Sequence, residues 1–170
     1  MDLPDWFKGF EKGIARLSSE QRAAFFSECS KNCVDGGVLS IYRKLYKDAN
    51  GDMDVFFQMA DELPGVKSEI VEKGRVYHLI FLECTCGLCK KGYVTTPLLC
   101  ECSRQCVLYS LQNLWKDQKF RVTLCHSYST ANHAAGKKKM SSSFFLPAIF
   151  YYICICKSYP NQQSDADHGN

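Results

Sequence analysis

The sequence predicts an α+β fold in which N-terminal helices are followed by a mostly antiparallel sheet with one further helix. The first observation is that the apolar residues of segment 4–62 recur at intervals of three and four, as on one face of a helix. The second is that residues 68–71 and 76–83 are rich in β-branched and large apolar side chains, which favour strands. Helices grouped before strands indicate an α+β architecture.

Polar and glycine-containing runs place the helix boundaries within segment 4–62. Ser18-Ser19-Glu20-Gln21 predicts a helix start, because a hydroxyl cap is followed by acidic and amide side chains in the first turn. Asp35-Gly36-Gly37 predicts the end of that helix. Asn50-Gly51-Asp52 and Pro64-Gly65 predict the ends of the two helices that follow.

The sheet is expected to begin with a hairpin. Glu72-Lys73-Gly74-Arg75 has the composition of a turn between the two strands. Ser103 is expected to cap a helix that continues to about Trp115. Lys119–Leu124 predicts another strand, so the further helix lies between strands of the sheet along the chain.

Length and composition predict one folded domain and a tail. The chain has 170 residues, of which 46% are hydrophobic and 23% are charged, as in globular proteins. Residues 1–126 are expected to form a single cysteine-rich α+β domain. Residues 127–170 are expected to be a divergent or partly disordered tail, because residues 127–143 are small and polar without a period. The apolar residues 144–156 are too few for a transmembrane helix of about 20 residues, and a buried strand pair is the alternative.

The charge and the N-terminus predict a cytoplasmic protein without a nucleic-acid or membrane partner. The net charge of +3 is too small to indicate nucleic acid, and the basic run Lys137–Lys139 is typical of a solvated loop. The opening MDLPDWFKGFEKG lacks the basic and apolar regions of a signal peptide. An odd number of cysteines, 11, in a reducing compartment argues against a disulfide framework. No feature of the sequence specifies an oligomeric state.

Six cysteines lie in segment 83–106, which reads ECTCGLCKKGYVTTPLLCECSRQC. Their spacing is C-x-C-x2-C, ten residues, then C-x-C-x3-C. Structural zinc is commonly held by four sulfurs in a tetrahedron, each about 2.3 Å from the metal. Tight turns supply these sulfurs in pairs. The two C-x-C steps therefore predict a site for a metal ion, with zinc as the expected metal, or for a small ligand. The expected ligands are Cys84, Cys86, Cys100 and Cys102.

The same segment allows a catalytic interpretation. A helix capped by Ser103 would place Cys106 in its first turn, where the helix N-terminus lowers the pKa of a thiol. Cys102 or Cys106 would then be the nucleophile, and Glu101 or His78 would transfer the proton. A third interpretation is a cysteine-lined core, because free cysteine packs as a small hydrophobic residue.

Three further features carry weaker signals. Cys29 and Cys33 lie four residues apart on a helix, a spacing that faces a core more often than it binds a metal. Cys125-His126 follows the last clear strand and would add ligands if that strand ended near the cysteine-rich loops. Glu83 precedes Cys84 and would serve as an acid or base there, although a solvated carboxylate is its commoner role.

A family resemblance covers about residues 20–126. An ECTC step, the stretch GYVTTP, CECSRQC opening a helix and the strand KFRVTL follow one another in this chain. This order is similar to that of uncharacterised cysteine-rich bacterial proteins related to the L-2-amino-thiazoline-4-carboxylic acid hydrolase-like family. The resemblance implies a bacterial cytosolic α+β domain and, as an activity, the opening of a cyclic amidine-thioether ring by a thiol-dependent hydrolase.

The chain departs from that family in two places. Arg104-Gln105-Cys106 stands where members tend to have an aromatic residue after the second C-x-C-S. After His126 the chain lacks the glycine-containing turn and the cysteine-bearing strand with which members usually continue. A reading-frame change after His126 would explain the second departure.

Overall fold

The computed structural model describes residues 2–82, 84–128 and 150–158, which form an α+β fold, as the sequence predicts. In β3 and β4 below, the described side chains are those of residues 119–125, 153 and 155. The helices are α1 (Leu3–Arg16), α2 (Ser19–Cys33), α3 (Leu39–Asp48), α4 (Met53–Ala60), α5 (Gly87–Lys90) and α6 (Cys100–Leu114). The strands are β1 (Val66–Glu72), β2 (Val76–Phe81), β3 (Lys119–Tyr128) and β4 (Phe150–Ser158).

The predicted helix boundaries are confirmed where a polar side chain caps a helix. The Ser18 hydroxyl accepts a hydrogen bond from the backbone N–H of Gln21, and the Gln21 side chain accepts one from the N–H of Ser18. Asp52 caps α4 in the same way, by accepting from the N–H of Val55 at 3.0 Å. Each cap satisfies a backbone donor that has no partner inside the helix. None of the helices within the described ranges has the length and apolar composition to cross a membrane.

The four strands form an antiparallel sheet in the order β1–β2–β4–β3. β1 and β2 are joined by the predicted hairpin, with Glu72 opposite Val76. Gly74 in this turn has a φ of +70°, a conformation that side chains with a Cβ rarely adopt. The buried residues of β2 alternate along the strand, so one face of the sheet is turned towards the helices.

β4 lies between β2 and β3, at the centre of the sheet. Ile153 opposes Leu79 on one side and Leu124 on the other. Both Ile153 and Ile155 are 0% exposed. The domain expected from the sequence ends at residue 126, so the sheet takes a strand of 9 residues from beyond that boundary. The rest of the expected tail, residues 129–149 and 159–170, lies outside the described residues.

Two apolar clusters hold the described parts together. The larger lies between helices α3, α4 and α6 and the sheet, and it includes the stacked rings of Phe57 and Tyr77, whose centroids are 4.3 Å apart. The smaller lies near α1 and α2 and contains Ile14, Phe26, Val94 and Leu99. Several half-buried cysteines pack against the smaller cluster, so this cluster positions the cysteine-rich segment. These are Cys86, Cys89 and Cys102.

The start of α6 differs from the sequence-based prediction. The helix begins at Cys100 and continues a 3₁₀ turn at Pro97–Leu99, whereas a helix capped by Ser103 was expected. The Thr96 hydroxyl accepts a hydrogen bond from the N–H of Leu98, and proline is favoured in a first helical turn because it has no N–H to satisfy. Cys106 therefore lies in the second turn of α6, away from the helix N-terminus.

Candidate functional site

Helix α6 directs the two cysteines of the second C-x-C step to different sides. On a strand, residues two apart point to the same face. On a helix, where each residue turns by about 100°, the same spacing separates side chains by about 200°. Cys100 and Cys102 both lie within α6, so their sulfurs face different surroundings. Cys102 and Cys106, four residues apart, share a helix face instead.

Cys100 joins three cysteines of the preceding loop around one small cavity. We call these four residues the loop cluster. The cavity is also lined by Thr96, Leu99 and Ser103 and has a volume of about 10 Å³. A space of that size admits one water-sized particle and no organic molecule. The loop cluster consists of Cys84, Cys86, Cys89 and Cys100.

Three thiols of the loop cluster share a hydrogen bond network. Cys89 lies within hydrogen-bonding reach of Cys84 and Cys86, and its interaction with them lowers the pKa of Cys84 to about 7 and that of Cys86 to about 6. The pKa of Cys89 is raised because its proton is held by those two sulfurs. Burial raises the pKa of Cys100 to about 11, and the neighbouring Cys84 and Cys86 add to that effect. The cluster therefore contains both thiolate-forming and proton-holding sulfurs.

Cys102 and Cys106 face α2. The Cys106 sulfur lies 4.0 Å from the carbonyl oxygen of Ser30, which places it at the contact between the two helices. Interaction with Cys106 lowers the pKa of Cys102, and interaction with Cys102, together with burial, raises the pKa of Cys106. The pKa of Cys106 was expected to be lowered by a nearby helix N-terminus. That expectation is wrong, because Cys106 lies in the second turn of α6, and the neighbouring Cys102 and burial raise its pKa.

Glu101, expected as a catalytic acid or base, is held in an ion pair. Arg104 binds both oxygens of its carboxylate, with the shortest distance 2.6 Å from Nη2 to Oε1, and Gln105 donates to Oε1 at 2.9 Å. The side chains of Glu101 and Arg104 are 17% and 22% exposed. Arg104 also donates from Nη1 to the carbonyl of Val122, so this group ties α6 to β3.

The other residues considered from the sequence lie apart from the loop cluster. His78 sits in β2 with its Nδ1 2.9 Å from Oε2 of Glu69. Cys125 is exposed, and its thiol donates to the carbonyl of Thr123 in its own strand. Glu83 and the side chain of His126 lie outside the described residues.

The structure brings together three of the four ligands expected from the sequence. Cys84, Cys86 and Cys100 line one cavity, whereas Cys102 faces α2. Cys89 completes the loop cluster, and the C-x2-C step from Cys86 to Cys89 is the signal that identifies it. In the part of the chain described, no three Cys, His, Asp or Glu side chains are already arranged to hold a metal ion. Metal binding would therefore require rotation of the thiols towards a common centre.

Comparison with known proteins does not extend the assignment. No family model, curated protein or solved structure matches the chain. The functional argument therefore depends on the chemistry of the residues themselves.

Proposed function

We propose that the chain is a metal-binding domain in which the loop cluster holds a zinc ion. The observation that carries the proposal is that four thiols, from a loop and from the start of α6, line one ion-sized cavity. Four thiolates are a common donor set of structural zinc, and zinc has no geometric preference beyond the tetrahedron that four sulfurs form. A bacterial cytosol, which the family resemblance implies, would keep these thiols reduced and available.

The role of the metal in this proposal is to connect the loop after β2 to helix α6. Cys84, Cys86 and Cys89 come from a segment whose only regular element is the four-residue helix α5. Its apolar residues pack against the smaller cluster, and a metal ion would add a second connection, to α6. A site with four protein ligands has no open position for a substrate, which is typical of structural zinc.

A small organic ligand and a hydrolase are the alternatives, and a different observation argues against each. The loop-cluster cavity of about 10 Å³ has no room for an organic ligand. In the hydrolase, the proton would be transferred for Cys102 or Cys106 by His78, whose Nδ1 lies 2.9 Å from Oε2 of Glu69, or by Glu101. The Glu101 carboxylate already accepts hydrogen bonds from Arg104 and Gln105. The metal-binding proposal needs no displacement of that ion pair.

Metal analysis of the full chain, purified without a metal-affinity resin and under reducing conditions, tests the proposal. We expect the double variant Cys84→Ser/Cys89→Ser to contain about one zinc equivalent less than the unaltered chain. Cys125→Ser is the matched control, because Cys125 is exposed and lies outside the cluster. A zinc content below about 0.2 equivalents in the unaltered chain, with all thiols titratable, would overturn the proposal.

Acidification provides a second test. Zinc binds thiolates, so each thiol that becomes a ligand releases its proton. The affinity of the loop cluster for zinc is therefore expected to fall as the pH is lowered. Competition with a chromophoric chelator at a series of pH values measures this, and a pH-independent affinity would show that the thiols are not the ligands.

A further inference from the structure

Four cysteines remain outside the loop cluster but lie together between α2 and α6. Each helix contributes a C-x3-C pair, whose members share one helix face. α2 packs along α6, and the Cys106 sulfur lies 4.0 Å from the Ser30 carbonyl oxygen on α2. We call this group the helix cluster. It consists of Cys29, Cys33, Cys102 and Cys106.

The thiols of the helix cluster contact one another across the helix interface. The Cys106 sulfur lies within hydrogen-bonding reach of Cys102 on its own helix and of Cys33 on α2. Cys29 is near enough to Cys102 for the charge of one to act on the other. This arrangement repeats that of the loop cluster, where Cys89 interacts with two other sulfurs. In each cluster one cysteine lies near two others.

A core interpretation does not explain the helix cluster. Free cysteine is among the most buried residue types when it serves only to pack. Cys29 and Cys33 are nevertheless exposed, and Cys102 and Cys106 are half-buried beneath them. The two cysteines of α2 are therefore accessible to an ion from solvent.

We propose that the helix cluster is a second thiolate metal site, separate from the loop cluster, in which two C-x3-C pairs on packed helices bind one zinc ion. Two residues four apart on a helix present their side chains to the same point, so each helix supplies a bidentate arm. Two such arms from crossing helices supply the four sulfurs of a tetrahedral site. Binding forms four sulfur–zinc bonds and releases the thiol protons to solvent, and no group is oxidised or reduced.

The second site would join α2 to α6 as the first joins the loop to α6. Cys100, Cys102 and Cys106 would then place α6 between two ions, with Cys100 on one side and the other two on the opposite side. The two clusters are neighbours, because the charge of Cys86 in the loop cluster acts on both Cys33 and Cys102. The proposal uses no residue of the loop cluster, so either site can be present without the other.

Zinc stoichiometry of three variants of the full chain tests the second site separately from the first. We expect about two zinc equivalents in the unaltered chain and in Cys125→Ala, and about one in Cys29→Ala/Cys33→Ala. The α2 variant is chosen because both residues are exposed, so their replacement leaves the core intact. The loop-cluster variant Cys84→Ser/Cys89→Ser is expected to keep the zinc of the helix cluster.

The outcomes separate the two proposals. Unchanged zinc content in Cys29→Ala/Cys33→Ala overturns the second site and leaves the first standing. The alkylation rate of each cysteine in the unaltered chain, measured with and without zinc, gives an independent test that needs no variant. Zinc is expected to slow alkylation of Cys102 and Cys106 at least about tenfold. Fast alkylation of either residue in the presence of zinc also overturns the second site. So does a Cys102–Cys106 disulfide that persists in protein freshly purified under reducing conditions.

Discussion

The carboxylate of Glu11 in α1 accepts a hydrogen bond from the backbone N–H of Thr96, 2.9 Å away, and so joins the first helix to the wall of the loop-cluster cavity. The N–H and hydroxyl of Thr95 donate to the same oxygen. Thr96 lines the cavity and precedes the turn that leads into α6. Partial burial opposes ionisation of Glu11, but the N–H donors of Thr95 and Thr96 lower its pKa. The position of Cys100 thus depends on a side chain far away in the sequence.

Removal of this carboxylate is expected to weaken both the fold and zinc binding. Glu11→Ala leaves two N–H groups without their acceptor, and we expect a loss of about 1 kcal/mol in the free energy of unfolding, because solvent compensates part of the loss. Zinc affinity is expected to fall severalfold, since the cavity wall loses its support. Chemical denaturation and chelator competition measure the two effects. Asp5→Ala, at an exposed position of the same helix, is the control. Equal effects of both variants would show that Glu11 has no special role.

The ion pair between Glu101 and Arg104 is expected to contribute to stability and not to catalysis. Arg104→Met leaves a carboxylate that is 17% exposed without its cation and also removes the donor to the Val122 carbonyl. We expect the free energy of unfolding to fall by about 2 to 3 kcal/mol, because an unpaired charge remains in a partly buried position. Lys8→Met, which removes the exposed ion pair to Asp5, is expected to have no measurable effect. If the two variants are equally stable, the ion pair does not tie α6 to β3.

Local sequence signals predicted most of the fold. The Ser18 cap with Gln21, the Asp52 break and the Gly74 hairpin turn all act through neighbours within a few residues, so they can be identified in the sequence. The cap of α6 was placed four residues too late, at Ser103 instead of Leu99, because Ser103 and the pair Thr96-Pro97 both carry helix-start signals. The proline turn prevails because it continues directly into the helix.

The grouping of the cysteines depended on that boundary. A C-x-C step brings two thiols together on a strand and separates them on a helix, so the helix start decided which sulfurs meet. Cys89 could be identified from the C-x2-C step alone. The approach of Cys33 to Cys106 could not, because it depends on how α2 packs against α6, and helix periodicity does not specify a packing partner.

The hydrogen bond between Asp54 and Tyr77 is expected to make stability depend on pH. Asp54 Oδ1 accepts from the Tyr77 hydroxyl at 2.6 Å and from the N–H of Gly74 at 2.9 Å, and these donors lower the pKa of Asp54. A folded-state pKa below the unfolded value of about 3.9 stabilises the protein above that pH, and this contribution is lost as the pH falls through the folded-state pKa. The free energy of unfolding of Asp54→Asn is therefore expected to fall less steeply than that of the unaltered chain as the pH is lowered.

Tyr77 is expected to make stability depend on pH in the opposite direction, with a loss of stability at high pH. Burial raises its pKa, and the hydrogen bond to Asp54 adds to that effect. The contribution of Tyr77 to the free energy of unfolding is complete below its unfolded-state pKa of about 10. It is lost as the pH rises through the raised folded-state pKa. Tyr77→Phe is expected to reduce the loss of stability in alkali. Denaturant unfolding across pH measures both limbs, with Asp48→Asn on the exposed face of α3 as the control. Parallel curves for Asp54→Asn and Asp48→Asn would contradict the first expectation.

Strand β4 is expected to be necessary for folding, although it lies beyond the domain boundary that the sequence suggests. Ile155 is 0% exposed and opposes Tyr77 on one side and Val122 on the other. Ile155→Ala removes buried methyl groups and leaves a cavity, so we expect a loss of about 2 to 5 kcal/mol in the free energy of unfolding. Ile41→Ala, at a residue that is 50% exposed, is expected to change stability by less than about 0.5 kcal/mol.

A chain ending at Tyr128 tests the same strand without a substitution. Without β4, strand β2 would have an unpaired edge, β3 would lose the strand it pairs with, and the apolar surface of Tyr77 and Val122 would be exposed to water. We expect the shortened chain to lack a cooperative unfolding transition. A cooperative transition close to that of the full chain, together with an Ile155→Ala variant as stable as Ile41→Ala, would show that residues 150–158 do not complete the sheet in solution.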